Sequence, residues 1–220
     1  MAIPQRTKNK TMLNEALLLD STRPVSTLNI DNGCPEHSSQ GVPLSCQDLQ
    51  WYVLRVSYSR SLKIKALLDE RGVTTFVPMV WQKKIEGGKT EKKLVPAVSN
   101  LCFVRWTKTA IDEFIRGYGE NSPVHFYWDR TASRAMTIPE KAMNDFITVA
   151  SSLDEDLIYI TEISDKLREG QTVKVKSGSF AGVTGKIVRI RKSRRILVEL
   201  PGMLAVASTY VSPENVEILE

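Results

Sequence analysis

The stretch Glu169–Ile190, EGQTVKVKSGSFAGVTGKIVRI, decides the fold of the C-terminal part of this chain. Its TVKVK segment alternates apolar and basic residues, which is the period-two pattern of a half-buried strand. Gly178 and Gly182 then bracket a short loop around Phe180, where a positive φ would strain a residue that carries a side chain. The GKIVRI segment has strand composition again. The stretch therefore predicts two strands joined by a tight loop.

This stretch resembles the KOW motif, the strand, loop and strand unit of small SH3-like barrels in transcription and ribosomal proteins. An arbitrary β-hairpin with well-placed glycines is the alternative interpretation. The resemblance is carried by glycine and apolar positions, namely Gly170, Val173, Val175, Gly178, Phe180, Gly182 and Gly185.

The rest of the chain is long enough for a second folded module. We expect a flexible N-terminal extension at 1–48, a folded N-terminal module at 49–150, an acidic linker at 151–167 and the barrel at 168–220. The net charge of +5 is uneven, because both folded segments are basic and the linker is acidic. This distribution favours work near a polyanion. Because the linker has few apolar residues for an interface, we expect the two modules to tumble semi-independently.

The N-terminal module alternates strands and helices around a polar hairpin. The sequence predicts the order β, α, β, hairpin, β, α, β, α, with Thr109 as the cap of the second helix. Thr137 and Glu140 have the spacing of a capping box for the third helix. The predicted fold class is therefore α+β, an α/β sandwich followed by a small SH3-like β-barrel.

Four segments of this module resemble the N-terminal domain of the NusG family of transcription elongation factors. They are WYV at 51–53, VPM at 77–79, IEGGKTEKKLVP at 85–96 and LCFV at 101–104. In that family the domain precedes a KOW domain, as it does here. The resemblance implies a factor that binds RNA polymerase, keeps its clamp closed and suppresses pausing or termination. Nascent RNA, non-template DNA and a small-subunit ribosomal protein are further partners that it implies.

The extension and the segment 123–146, which ends in IPEKAMNDF, are most similar to the specialised UpxY paralogues of that family. UpxY proteins act on surface polysaccharide operons, so the resemblance implies an operon-specific antiterminator for capsular polysaccharide loci. Family members commonly have Gly-Tyr directly after the proline that matches Pro96, whereas Ala97–Asn100 intervene here before Leu101. An acidic residue often found early in the first helix is also missing. These departures favour a paralogue over the housekeeping factor.

The resemblance implies an apolar groove that holds two helices of the largest polymerase subunit. Tyr52, Phe76, Leu101 and Phe103 are its candidate residues. Exposed aromatic side chains suit helix-in-groove recognition, because they supply contact area at low entropic cost. The alternative is that these residues face the helices of their own module and form its core.

Basic residues on two predicted hairpins are candidates for contact with nucleic-acid phosphates. A solvated turn is the alternative for the RIRKSRR run. Phe180 is the candidate contact with the ribosomal protein, the alternative being that it plugs the open end of its own barrel. The basic candidates are Lys83, Lys84, Lys92 and Lys93 on the first hairpin, and Arg191 and Arg194 in the RIRKSRR run.

No catalytic constellation or phosphate-binding loop is visible, so neither an enzyme nor a cofactor is predicted. The three cysteines form no CxxC pair. Cys34, His37 and Cys46 lack a fourth ligand nearby, which argues against a metal site. No apolar run is long enough to cross a membrane, and we expect a cytoplasmic monomer.

Two other functions stay open at this point. A ribosome-associated RNA-binding protein would also carry a KOW barrel and two basic modules. A polysaccharide-modifying enzyme of the same operon class would need an active-site cleft, for which no residues are apparent.

Overall fold

The computed structural model describes residues 49–86, 89–161, 170–190 and 192–219. The extension at 1–48 and its expected flexibility lie outside these residues. So do the Gly87-Gly88 turn, residues 162–167 of the linker and Arg191.

The N-terminal module is built on a five-stranded antiparallel sheet, in which four strands have the order β2-β5-β1-β6 and β9 also pairs with β1. Two hairpins, β3–β4 and β7–β8, extend from it. The predicted alternation of strands and helices around a hairpin is confirmed. Its elements are β1 (Gln50–Val56), α1 (Ser61–Asp69), β2 (Thr74–Phe76), β3 (Met79–Glu86), β4 (Lys89–Pro96), β5 (Leu101–Trp106), α2 (Lys108–Arg116), β6 (Val124–Phe126), β7 (Trp128–Asp129), β8 (Arg134–Ala135), β9 (Thr137–Ile138) and α3 (Glu140–Ala150).

The C-terminal barrel is an antiparallel sheet in the order β10-β14-β13-β12-β11-β15. Its first strand comes from the segment assigned to the linker, because Ile158–Ile160 pairs with β14. The α+β fold class predicted from the sequence is confirmed. The elements are β10 (Ile158–Ile160), β11 (Thr172–Val175), β12 (Thr184–Ile190), β13 (Ser193–Leu200), β14 (Leu204–Tyr210), a 3₁₀ turn (Pro213–Asn215) and β15 (Val216–Ile218).

Two large apolar clusters lie on opposite faces of the N-terminal sheet. We call one of them the first apolar cluster; it includes Phe103 on the sheet and Phe146 on α3, and it continues without a break into the barrel. The other, the second apolar cluster, fills the space between the sheet and helices α1 and α2, and includes Leu54, Leu68 and Ile111. The expected lack of an apolar interface between the modules is therefore wrong, because the two modules share one core in this docked arrangement.

Two of the predicted helix caps are wrong. Thr107, not Thr109, caps α2, since its Oγ1 accepts a hydrogen bond from the backbone N–H of Ala110 at 3.3 Å. The capping box on α3 is absent because Thr137 instead pairs with Tyr52 in the sheet. Both errors arise because the helix begins at a different residue from the one that the local pattern suggested.

The glycines of the KOW-like stretch adopt the conformation that the sequence predicts. Gly178 has φ of +91° and Gly182 has φ of +87°, both in the left-handed region. At position 185 glycine is required for a different reason, because there is no room for a side chain. A Cβ there would lie 2.6 Å from the carbonyl oxygen of Leu197. The prediction of positive φ on both sides of Phe180 is confirmed.

Alanine at Gly178 or Gly182 is expected to destabilise the protein by about 1–2 kcal/mol, because a left-handed φ strains a residue with a Cβ. A Cβ at either position would have nothing within 4 Å, so the cost is conformational rather than steric. Denaturant unfolding measures it. Gly117→Ala is the matched control, since Gly117 has φ of −59°, and an equal loss in the control would contradict the prediction.

Candidate functional site

Three of the four groove candidates share one face of the N-terminal sheet. Phe103 lies directly opposite Phe76 on β2, and Leu101 precedes it by two residues on β5. Residues that are paired across strands, or two apart along one strand, point to the same side of a sheet. Phe76, Leu101 and Phe103 therefore form a continuous apolar strip, which we call the groove strip.

Tyr52 lies on the opposite face. It pairs with Val104, belongs to the second apolar cluster and packs edge-to-face on Phe126 with ring centroids 5.7 Å apart. Burial raises the pKa of the Tyr52 hydroxyl, against a smaller opposing effect of the Lys108 charge. The structure thus separates Tyr52 from the groove strip.

The groove strip is covered in the docked arrangement. Phe103 is fully buried and Leu101 is 4% exposed, while Phe76 is half-buried. Phe146 of α3 covers the strip, with its ring centroid 6.0 Å from that of Phe103 and 6.2 Å from that of Phe76. The barrel packs on the same cluster. A partner that bound this strip would therefore have to replace the covering elements.

Polar contacts also join α3 to the barrel. Asp145 is buried, with 8% of its surface exposed, but its carboxylate is hydrogen-bonded. It accepts from Lys141 Nζ at 2.5 Å and from the backbone N–H of Thr184 at 3.3 Å. Lys141 Nζ donates to the carbonyl oxygen of Gly182 at 3.3 Å. One ion pair on α3 thus holds the loop that precedes β12.

Polar contacts join the connector, residues 151–161, to the N-terminal module. Trp81 Nε1 donates to the carbonyl oxygen of Leu153 at 3.0 Å, and Lys92 forms an ion pair with Glu155. The hydroxyl of Tyr159 donates to the carbonyl oxygen of Met79 at 3.2 Å, and burial raises its pKa to about 12. The connector is therefore fixed along the β3–β4 hairpin in the docked arrangement.

The four lysine candidates lie on the β3–β4 hairpin, which we call the lysine hairpin. Lys83 is directly opposite Lys92, while Lys84 pairs with Glu91 and Lys93 pairs with Gln82. Alternation puts Lys83 and Lys92 on one face of the hairpin and Lys84 and Lys93 on the other. All four are exposed.

The described arginine candidate, Arg194, is on the barrel and not on the lysine hairpin. Arg194 is exposed and pairs with Arg189 across β12 and β13, whereas Arg191 lies outside the described residues. Arg195 belongs to the RIRKSRR run, for which a solvated turn is the alternative interpretation, but it is only 9% exposed. Its Nη1 donates to the carbonyl oxygens of Asp156 at 2.7 Å and Ser208 at 2.9 Å. Arg195 therefore ties the connector to the barrel, and only the register of β13 would have revealed it.

Phe180 lies in the loop between β11 and β12. It is half-buried and packs against the first apolar cluster. Backbone hydrogen bonds from Ala181 to Gly178 and from Val183 to Phe180, each 3.1 Å, shape this loop. In the docked arrangement the ring is therefore only partly available to a partner.

The described ranges offer no candidate metal site. No group of three histidine, cysteine, aspartate or glutamate side chains there could hold a metal ion, and Cys34, His37 and Cys46 lie outside those ranges. Cys102 is buried, which raises the pKa of its thiol to about 12 and keeps it protonated. Of the described helices, none has the length and apolar composition needed to cross a membrane.

Comparison with known proteins identifies both modules. Residues 49–147 match the family model described as "Transcription termination factor nusG", and residues 169–199 match the KOW motif. No curated protein shows significant similarity to the chain. A solved structure described as "Domain interaction in Thermotoga maritima NusG" is 17% identical with a TM-score of 0.39, covering 79% of this chain and 99% of that chain. The N-terminal module thus matches the NusG family of transcription factors, and a KOW motif follows it in the barrel.

Proposed function

We propose that this protein is a non-enzymatic elongation and antitermination factor that binds RNA polymerase and suppresses pausing or termination. The observation that carries the proposal is the groove strip, since a row of apolar residues on one sheet face suits an amphipathic helical partner. The match of the N-terminal module to the NusG family supports polymerase as that partner, because the family generally interacts with it.

The docked arrangement is then a resting state. The helices of the polymerase and the covering elements α3 and the barrel compete for the same apolar surface. Polymerase shifts the population towards the open state only by its higher affinity for that state. Binding of the factor is therefore weaker than the bare groove would allow.

Operon specificity is the finer part of the proposal, and its motif is the UpxY-like segment ending in IPEKAMNDF. The inserted residues that depart from the common family pattern support it. Asn100 has φ of +64°, and its Oδ1 accepts a hydrogen bond from the backbone N–H of Ser59 at 3.1 Å. That bond holds the turn in which Tyr58 is 79% exposed. A protruding aromatic side chain on a fixed turn can distinguish one target from another.

A ribosome-associated RNA-binding protein is the second candidate, favoured by the exposed lysines on both faces of the lysine hairpin. A capture experiment with the full chain and bacterial lysate, with and without nuclease, separates the two functions. Polymerase that stays bound after nuclease and at moderate salt supports the first candidate. Binding that needs intact RNA and falls steeply with salt would replace it with the second.

Phe76→Gln is expected to weaken binding to RNA polymerase by about five- to thirtyfold, the effect of losing an aromatic interface residue. Phe76 is suited to the test because it is half-buried on an outer strand. Biolayer interferometry measures the affinity, after thermal melting has shown that the variant folds. Leu67→Gln, a 41% exposed residue on α1, is the control. A folded Phe76 variant with unchanged affinity and an unchanged radius of gyration would contradict the groove assignment.

A further inference from the structure

Two like charges face each other on the lysine hairpin. Lys83 and Lys92 are directly opposite across β3 and β4, so their ammonium groups share one face. Like charges in this position destabilise a sheet unless an anion lies nearby. The pair is therefore arranged to receive a negatively charged group.

In the docked arrangement that group is the carboxylate of Glu155. Lys92 Nζ donates a hydrogen bond to Glu155 Oε1. The pKa of Glu155 is lowered by this hydrogen bond first, then by the charge of Lys92, and also by the charge of Lys83. The carboxylate thus lies in the field of both lysines.

Apolar side chains flank the pair on the same face. Trp81 and Ile85 stand two residues before and after Lys83 and are 40% and 76% exposed. A cationic surface with an exposed aromatic ring is the usual platform for single-stranded nucleic acid, because phosphates meet the cations and bases stack on the ring.

We propose that Lys83 and Lys92 form a phosphate site for single-stranded nucleic acid, and that Glu155 of the connector occupies this site as an internal competitor. The inference rests on the proposed nucleic-acid role of the lysine hairpin and adds its regulation. Glu155 is kept in place by its neighbours, because the carbonyl oxygen of Leu153 is bonded to Trp81 and that of Asp156 to Arg195. Nucleic acid that displaces Glu155 also loosens the connector from the hairpin.

The test is fluorescence anisotropy with the full chain and labelled single-stranded oligonucleotides, as DNA and as RNA of one sequence. Glu155→Gln is expected to tighten binding about three- to tenfold at low salt, and to steepen the log–log salt dependence by about 0.7 for each additional phosphate that the lysines neutralise. Unequal tightening with DNA and RNA identifies the preferred strand. Glu91→Gln removes the same charge from the opposite face of the hairpin, and its effect is expected to stay below about twofold.

A double-variant comparison makes the assignment decisive. In a Lys83→Gln, Lys92→Gln background, Glu155→Gln is expected to have no effect, because the groups that it masks are gone. The proposal is overturned if Glu155→Gln leaves the affinity for the oligonucleotide unchanged in the otherwise natural chain. It is also overturned if Glu155→Gln tightens binding equally in the background that lacks Lys83 and Lys92. Neither result touches the polymerase function, which the Phe76 measurement tests on a different surface.

Discussion

Replacing Phe146 with alanine is expected to lower the free energy of unfolding by about 3–5 kcal/mol, the range found for truncating a fully buried aromatic side chain. The ring is completely buried and lies within 6.4 Å, centroid to centroid, of the rings of Phe76, Phe103 and Tyr159. These rings come from the sheet and from the connector strand, so the cavity would open at the centre of the shared core. Chemical denaturation measures the loss.

Asn144→Ala is the matched control for Phe146, since Asn144 is exposed on the same helix. We expect that variant to change stability by less than about 0.5 kcal/mol. A loss of under about 1 kcal/mol for Phe146→Ala would show that the sheet, α3 and the barrel are not packed through this ring.

Asp145→Lys is expected to release the barrel from α3 and thereby to increase polymerase binding. The substitution removes the acceptor of the Thr184 N–H and puts a second positive charge beside Lys141 at a mostly buried position. Together these changes are expected to weaken docking by about 2–4 kcal/mol. Stronger binding to polymerase follows because α3 then covers the groove strip without the barrel packed behind it, so the helix is displaced more readily and the binding-competent fraction rises.

Small-angle scattering detects the opening as a larger radius of gyration, and affinity for polymerase is measured in parallel. Asp112→Lys is the matched control, because Asp112 forms the same i, i+4 ion pair with Lys108 on α2, which packs against the opposite face of the sheet. It is expected to leave the radius unchanged. An Asp145 variant that opens but binds polymerase more weakly would show that the docked arrangement is the active one.

Local patterns in the sequence were sufficient for the architecture of each module. The alternation of Val173 and Val175 identified β11, where both side chains are buried. Gly178 and Gly182 identified the left-handed loop, because only a residue without a Cβ adopts such a φ without strain. These features depend on a few neighbouring residues, so a single sequence reveals them.

Features that depend on distant residues were not predictable in this way. The register of β1 against β5 pairs Tyr52 with Val104 and Val53 with Phe103, which puts Tyr52 and Phe103 on opposite faces. No local pattern fixes that register. The docking of the barrel on α3 was not predictable for a similar reason. The sequence around Asp145 suggests a solvent-facing residue, and only its hydrogen bond from Thr184 on the barrel shows otherwise. The acidic character of the connector also concealed Ile158–Ile160, which forms a strand of the barrel.

The pairing of β10 with β14 leaves a very short tether between the modules. α3 ends at Ala150 and β10 begins at Ile158, so the seven residues 151–157 span the gap if the barrel leaves α3 with β10 attached. Fully extended, they reach at most about 25 Å. A barrel on such a tether stays at an effective concentration on the order of millimolar near its docking surface. Redocking is then a fast intramolecular event. Because polymerase is present at a far lower concentration than this effective concentration, it keeps the protein open only if its affinity for the groove strip is much higher than that of the barrel and α3.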